Sequence, residues 1–273
     1  MQRLFDVGHP SDEHVPALKA LWQDVFGDSR NVIDNFFNKT ARLENIVCAF
    51  HGGKPVSVLY AIDSTVYLNG EEKKAYYVYA VCTHPQYRGK GCMALTFSFL
   101  EKLSVERDVS YLFLVPAEKS LFSMYERLGF KVGFTRAKRL VKRDDFLAIE
   151  GEINQLSFEA YKNCRRAHLK VPQAILSEAG FNSFYRPVGN NMKCIYVENA
   201  GLAVYETESG KTEILELFGN KEVLLSAVFA QSGADVITLY EYDMAGGNPY
   251  GMLKSIDGSP CFENGFFGVS YGG

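Results

Sequence analysis

The sequence lacks the cysteine patterns that mark metal sites and disulfide frameworks. Its six cysteines include no C-x-x-C pair and have no partnering histidine cluster, so we expect neither a bound metal nor a disulfide framework. The first residues contain no apolar signal-peptide segment, and no later window approaches the uncharged length of a transmembrane helix. These absences predict a reduced, soluble, cytoplasmic protein.

The sequence also has no excess of basic residues, no internal repeat and no low-complexity tract. It contains 29 Lys and Arg against 32 Asp and Glu, which argues against a nucleic-acid partner, since such a partner needs a concentrated basic face. Hydrophobic residues make up 47% of the chain and charged residues 22%, as is typical of a globular protein. Its 273 residues favour two domains, each large enough to bury its own core.

One stretch in the first half has the pattern of a phosphate-binding turn. Residues 76–81 are rich in β-branched and aromatic side chains, which predicts a strand, and apolar residues from Met93 onward recur at helical spacing. Between them lies Gln86-Tyr87-Arg88-Gly89-Lys90-Gly91. A glycine turn that opens a helix leaves backbone N–H groups unpaired at the positive end of the helix dipole, which favours phosphate. Neither G-x-G-x-x-G nor G-x-x-x-x-G-K-[ST] is present here.

This turn, together with a second motif, resembles the GNAT family of N-acetyltransferases. The first motif is Gln86-x-x-Gly89-x-Gly91 after Val81-Cys82-Thr83-His84-Pro85, and the second is Tyr125-Glu126-Arg127-Leu128-Gly129-Phe130. The resemblance covers roughly residues 1–140 and implies that acetyl-CoA is the co-substrate. It implies that the strand backbone near Val81, Cys82 and Thr83 binds the pantetheine arm. It also implies that the turn holds the pyrophosphate through Arg88, Gly89, Lys90, Gly91, Cys92 and Met93.

The second motif supplies a candidate catalytic residue. Tyr125 lies on the apolar stripe of a predicted helix, so it is either a core aromatic or, as the resemblance implies, the acid that protonates the departing thiolate. Cys82 and Cys92 flank the turn, but no nearby base would activate a thiol, and both are expected to be small packing residues. The family often has an Asn at the start of the Tyr125 helix, where this chain has Ala117-Glu118-Lys119.

The general base cannot be assigned from the sequence. Many family members have a Glu where this chain has Tyr77 and Tyr79, so the alternatives are a water chain, His84, Asp63 or the terminal carboxylate of Gly273. The expected reaction is acetyl transfer from acetyl-CoA to a primary amine of a small acceptor. The alternative is a non-catalytic acyl-CoA-binding regulator or scaffold, and assembly into a homo-oligomer is left open.

One basic run interrupts the acidic balance of the chain. Its residues are Arg136, Lys138, Arg139, Lys142 and Arg143. Two interpretations stay open for it: a solvated strand edge, or a neighbour of the ribose phosphate of acetyl-CoA.

The expected fold class is α/β (α+β): a GNAT fold with a mixed, largely antiparallel central sheet flanked by helices. Domain 1–143 is predicted to open with a short strand and two helices, in which Trp22 is expected to be buried. Strands at 45–50, 54–63, 65–68, 76–81, 109–115 and 131–141 follow, with hairpin turns at Gly52-Gly53 and Asn69-Gly70. A further helix is predicted from about Glu118.

Domain 150–273 is predicted to be a second, smaller α/β domain with a similar element order. Helices are expected near residues 156–164, 172–176 and 223–229, and strands at 194–198, 201–206, 211–218 and 235–240. At the place of the glycine turn stands Leu217-Phe218-Gly219-Asn220-Lys221-Glu222, with one glycine and an acid. This half is therefore expected to lack the pyrophosphate loop, as in tandem acetyltransferases related to the enhanced-intracellular-survival type.

Overall fold

The chain forms two compact units. The structure, a computed structural model, describes residues 4–143, 157–185, 192–242 and 247–268. The first unit comprises Met1–Val132 and Gly251–Cys261, and the second comprises Gly133–Tyr250 and Phe262–Gly273. The predicted boundary between residues 143 and 150 falls on residues outside the described ranges, so the domain limits 1–143 and 150–273 stay a prediction.

The first unit is built on a mostly antiparallel sheet with helices on both faces. Its helices are α1 (Val15–Phe26), α2 (Arg30–Lys39), α3 (Cys92–Glu106) and α4 (Phe122–Glu126). Its first strands are β1 (Asp6–Gly8), β2 (Ile46–His51), β3 (Lys54–Leu68), β4 (Glu71–Thr83) and β5 (Tyr111–Leu114). Successive strands from β1 to β4 pair antiparallel, whereas β4 and β5 run parallel. The mixed, largely antiparallel sheet predicted from the sequence is confirmed.

Local sequence signals set the ends of several elements in this unit. Gly27 ends α1 in the left-handed region with φ 74°, and the Ser29 hydroxyl accepts a hydrogen bond from the Val32 N–H at the start of α2. Both hairpin turns, Gly52-Gly53 and Asn69-Gly70, have positive φ at their two positions, as tight two-residue turns require. The predicted hairpins are therefore confirmed.

Different side chains cover the two faces of the first sheet. On one face, Phe97 of α3 shares an apolar cluster with Tyr76 and Val78 of β4. On the other face, the ring of Trp22 in α1 lies 5.0 Å from the ring of Tyr60 in β3. Trp22 is 1% exposed, which confirms its predicted place in the core. The α3 face is the one that matters for the site described below.

The second unit contains its own sheet and helices. Its helices are α5 (Phe158–His168), α6 (Glu178–Phe184) and α7 (Lys221–Ser232). Its strands are β6 (Lys131–Lys142, which begins in the first unit), β7 (Gln173–Leu176), β8 (Met192–Val197), β9 (Gly201–Glu208), β10 (Lys211–Gly219) and β11 (Val236–Glu241). The sheet has the order β6-β11-β10-β9-β8, and its neighbours are antiparallel except for the parallel pair β10 and β11.

A strand from late in the chain completes the sheet of the first unit. β12 (Asn248–Ser255) pairs antiparallel with β5, with Met252 opposite Leu114 and Ser255 opposite Tyr111. Met252 is fully buried in the apolar cluster of α3, and the hydroxyl of Tyr111 donates to the Pro260 carbonyl at 2.9 Å. β12 therefore contributes to the core of the first unit through Met252 and Leu253.

Several assignments made from the sequence differ from the structure, and the helix α6 is not among the predicted elements. The helix predicted at residues 172–176 is wrong, because this apolar run forms the buried strand β7. The runs 54–63 and 65–68 form one continuous strand, β3. The helix predicted from Glu118 begins as a 3-10 turn, Lys119–Leu121, and becomes α-helical only at Phe122. The strand β12 is not among the predicted elements.

Candidate active site

A glycine turn between β4 and α3 forms the centre of the candidate site. After the 3-10 turn Pro85–Tyr87, Gly89 and Gly91 adopt φ values of 73° and 81°, a region that favours glycine. Gly91 is the N-cap of α3, and no side chain caps this end of the helix. The first N–H groups of a helix have no intrahelical acceptor, so those of α3 are available at the turn.

The space around the turn is open. A Cβ built on Gly89 or Gly91 would meet no atom within 4 Å. These glycines therefore do not serve close packing within the chain, and a ligand could approach their backbone. Unpaired N–H groups, the positive end of the α3 dipole and open access together fit a diphosphate group.

Two cationic side chains flank the turn. Arg88 donates from Nε to the Thr83 carbonyl at 3.1 Å, which ties the turn to the end of β4. The ammonium of Lys90 lies 5.2 Å from the centroid of the Tyr87 ring. Both residues are exposed, so they add positive charge at the solvent side of the turn.

The two cysteines beside the turn are packed into the protein. Cys92 is 2% exposed, and its thiol donates to the Tyr87 carbonyl at 3.4 Å. Cys82 is 3% exposed, and burial raises the pKa of its thiol to about 12, although the charge of Arg88 acts in the opposite direction. Both cysteine side chains are buried, as expected of small packing residues.

The end of β4 that leads into the turn has an open edge. β4 pairs with β5 only from Ala75 to Tyr77, yet it continues to Thr83. Within the described ranges, β4 has only β3 and β5 as neighbouring strands, so its β5 side is unpaired after Tyr77. Backbone groups on this edge can bond an extended ligand, as a further strand would.

A bulge in β4 changes which side chains face α3. Ala80 has φ 45°, and the register with β3 shifts at this point, so β4 has one extra residue there. Tyr76 and Val78 face α3, and strict alternation would turn Val81 to the opposite face. Instead Val81 packs against the same cluster as Met93 of α3. The sequence gives no sign of this bulge, because alanine is not favoured at positive φ.

Tyr125 belongs to the same apolar cluster. Val81 at the end of β4 and Met93 in the first turn of α3 pack against this cluster. The centroid of its ring is 6.0 Å from that of Phe97 and 6.0 Å from that of Phe130. Tyr125 is 6% exposed, and burial raises its pKa to about 12, so the phenol is protonated at neutral pH.

The candidate bases named from the sequence make structural contacts. His84 accepts a hydrogen bond at Nδ1 from the Gln86 N–H at 3.3 Å and so caps the 3-10 turn. Asp63 accepts one from the Asn45 amide at 3.3 Å. Gly273 lies outside the described residues. No base is assigned on these contacts.

In the second unit, α7 corresponds to α3 in the order of elements, but the residues before α7 are arranged differently from the glycine turn. A Cβ on Gly219 would lie 1.9 Å from the Ala200 carbonyl oxygen, so this glycine serves the close approach of β9 and β10. The side chain of Asn220 accepts a hydrogen bond from the Val223 N–H at 3.3 Å and caps the helix. Asn220 therefore caps α7, and the glycine here is closed to a ligand.

Three general features concern the residues that the structure describes. No group of three or more His, Cys, Asp or Glu among them could hold a metal ion. None of the helices within the described ranges combines the length and the apolar character that crossing a bilayer requires. All six cysteines are free.

The region that contains the turn matches a family model. Residues 6–133 match the model described as an acetyltransferase (GNAT) domain. The match includes β4, the glycine turn, α3 and Tyr125, which are the parts of the first unit described above. No curated protein sequence matches the chain.

Solved structures with the same fold cover almost the whole chain. A probable N-acyltransferase from Enterococcus faecalis has a TM-score of 0.75 at 16% identity, over 93% of this chain and 72% of that one. A GCN5-related N-acetyltransferase from Kribbella flavida has a TM-score of 0.70 at 15% identity, with coverages of 93% and 72%. Eis1 from Mycobacterium abscessus has a TM-score of 0.68 at 14% identity, with coverages of 92% and 74%. At these identities the similarity establishes the fold alone.

Proposed function

We propose that the protein transfers an acetyl group from acetyl-CoA to a primary amine of a small acceptor. The proposal starts from residues 6–133, which are an acetyltransferase domain of the GNAT family and make the protein an acyltransferase. The observation that carries this proposal is the open glycine turn at the start of α3, beside the unpaired edge of β4. In this proposal the first unit holds the donor, and the second unit, whose turn is closed, does not.

The turn would bind the diphosphate of acetyl-CoA through the backbone. The N–H groups of Gly89, Gly91, Cys92 and Met93 would donate to its oxygens, at the helix end where the α3 dipole is equivalent to about half a positive charge. Arg88 and Lys90 are exposed at its rim, where mobile cations can contact the remaining phosphate oxygens. Support comes from the positive φ and the empty surroundings of both glycines.

The strand edge would orient the rest of the donor. The pantetheine arm carries amides, and the backbone of Val81, Cys82 and Thr83 can pair with them as a neighbouring strand would. This brings the thioester to the side of β4 on which Val81 and Tyr125 share a cluster. A backbone N–H near Val81 would polarise the thioester carbonyl, a role that needs no side chain.

Tyr125 would act as the general acid. The amine nitrogen forms a bond to the acetyl carbon, the carbon–sulfur bond breaks with its electron pair on sulfur, and the Tyr125 hydroxyl gives its proton to that sulfur. The amine releases a proton to solvent, and one proton from solvent restores Tyr125. Burial raises the pKa of a thiol as it raises that of the Tyr125 phenol. The pKa values of the acid and of the leaving group therefore shift in the same direction when both are buried.

The proposal is tested by CoA release with a panel of small primary amines. Free CoA should be quantified by chromatography, because the exposed thiol of Cys261 would react with thiol reagents. We expect amine-dependent CoA release together with acetylated amine in equal amounts. Binding of acetyl-CoA without release above background for any amine would contradict the proposal and would indicate a pure acyl-CoA binder.

A further inference from the structure

One lysine of the late strand β12 contacts two elements around Tyr125. The Lys254 ammonium donates to the Leu128 carbonyl at 2.7 Å and forms an ion pair with the Glu101 carboxylate at 2.6 Å. The Lys254 and Glu101 side chains are 19% and 32% exposed. These are short contacts between half-buried groups, and all three residues belong to the first unit.

The contact with Leu128 reaches Tyr125 through the backbone. The carbonyl of Tyr125 accepts hydrogen bonds from the Leu128 N–H at 3.0 Å and from the Phe130 N–H at 3.1 Å. The carbonyl of Leu128 in turn accepts the bond from Lys254. Leu128, which follows the Tyr125 helix, is therefore held at its N–H by Tyr125 and at its carbonyl by Lys254.

The helix α4 has little stability of its own. It has five residues, and helices this short are stable only through tertiary contacts. The conformational entropy lost in forming the first turn exceeds the free energy gained from its hydrogen bonds. A lysine at a helix C-terminus is favourable, since it satisfies a carbonyl without an intrahelical donor and meets the negative end of the dipole. The stem of Lys254 also lies across the end of the helix, 3.3 Å from where a Cβ on Gly129 would stand.

The contact with Glu101 joins this helix end to α3. Glu101 follows Phe97 by one helical turn, and the Phe97 ring packs against the Tyr125 ring at 6.0 Å. Lys254 therefore connects α3 to Leu128, just past the end of α4, and the ring of Tyr125 on α4 packs against α3. α3 is also the helix whose first turn carries the proposed diphosphate site.

We propose that Lys254 is a positioning residue for the reaction, which holds Tyr125 at a fixed distance from the sulfur of acetyl-CoA bound at the start of α3. This inference rests on the proposed function, in which Tyr125 is the acid. Lys254 touches neither the donor site nor the hydroxyl of Tyr125, so its loss should affect the chemical step and spare donor binding.

The test compares Lys254→Met, Lys254→Arg and Glu101→Gln in the full chain. Lys73→Met is the matched control, because it removes a half-buried lysine of the same unit whose ion pair, with the exposed Glu71, is longer at 3.9 Å. Three quantities are measured: the dissociation constant of acetyl-CoA, kcat for CoA release with the best amine of the panel, and amide hydrogen exchange of residues 122–130.

We expect Lys254→Met to lower kcat about tenfold while the dissociation constant of acetyl-CoA stays within about twofold, since a small displacement of a catalytic group is costly. Exchange at the amides of Leu128 and Phe130 should become faster. Lys254→Arg should retain most of the kcat of the parent. The kcat of Glu101→Gln should lie between those of Lys254→Met and the parent, and that of Lys73→Met should equal that of the parent.

The outcomes separate this inference from the proposed function. Unchanged exchange in Lys254→Met overturns the positioning role, and so does an equal loss of kcat in Lys254→Met and Lys73→Met. If the parent releases no CoA with any amine, the proposed function fails, and the exchange measurement still decides whether Lys254 holds the Tyr125 helix. Weaker acetyl-CoA binding in Lys254→Met would also overturn the inference, because it would make Lys254 part of the donor site.

Discussion

At the scale of single residues, the buried phenol of Tyr125 is the feature on which the proposed chemistry depends. Tyr125→Phe keeps the ring that packs against Phe97 and removes the hydroxyl that would donate the proton, so we expect kcat to fall about 100-fold while acetyl-CoA affinity is unchanged. Steady-state kinetics and calorimetric titration measure the two quantities. Tyr111→Phe is the control, since that hydroxyl bonds the Pro260 carbonyl away from the turn. Full activity of Tyr125→Phe would assign the proton donation to another group.

The glycines of the turn allow an equally direct comparison. Gly89→Asp puts a carboxylate where we place the diphosphate and should weaken acetyl-CoA binding by at least about 100-fold, through repulsion and blocked approach. Gly53→Asp is a matched control, because Gly53 has φ 75° against 73° for Gly89 and also has no atom near its Cβ position. Both variants should lose about 1 kcal/mol of stability from the left-handed backbone. Equal affinity of the two for acetyl-CoA would contradict the site.

At the scale of elements, β12 should contribute to the stability of the first unit. Met252→Ala removes a side chain that is 0% exposed in the α3 cluster, and we expect the free energy of unfolding to fall by about 2–4 kcal/mol. Val105→Ala on the 64% exposed side of α3 should change it by less than about 0.5 kcal/mol. Urea denaturation of the full chain measures both. Equal stability of the two variants would show that β12 adds little to the core.

The elements predicted well from the sequence are those whose signals are local. Asn69-Gly70 specifies a turn through its own backbone preferences, and the strand, glycine turn and helix around Gly89 follow from adjacent residues. Residues 172–176 were misassigned because a short apolar run has no periodicity that separates a buried strand from a helix. The pairing of β12 and the contacts of Lys254 involve residues that are distant in the chain, such as Leu128. No local sequence pattern predicts contacts of this kind.

At the scale of the whole molecule, the two units differ in what their glycines do. Gly89 and Gly91 face open space, whereas Gly219 is closed by the Ala200 carbonyl and α7 is capped by Asn220. We therefore expect one molecule of acetyl-CoA per chain, although the sequence suggests two halves of similar element order. Isothermal titration gives this stoichiometry directly. A second equivalent that survives Gly89→Asp would place a donor site in the second unit.

The place of β12 in the sheet has a consequence for how the protein is made. The ribosome releases Met252 only after the main segment of the second unit has been synthesised, so the nascent first unit must wait with the β12 side of β5 uncovered. Premature termination before residue 250 would therefore leave a polypeptide with an uncovered hydrophobic strand edge, prone to proteolysis. The late position of β12 thus couples the maturation of the first unit to completion of the chain.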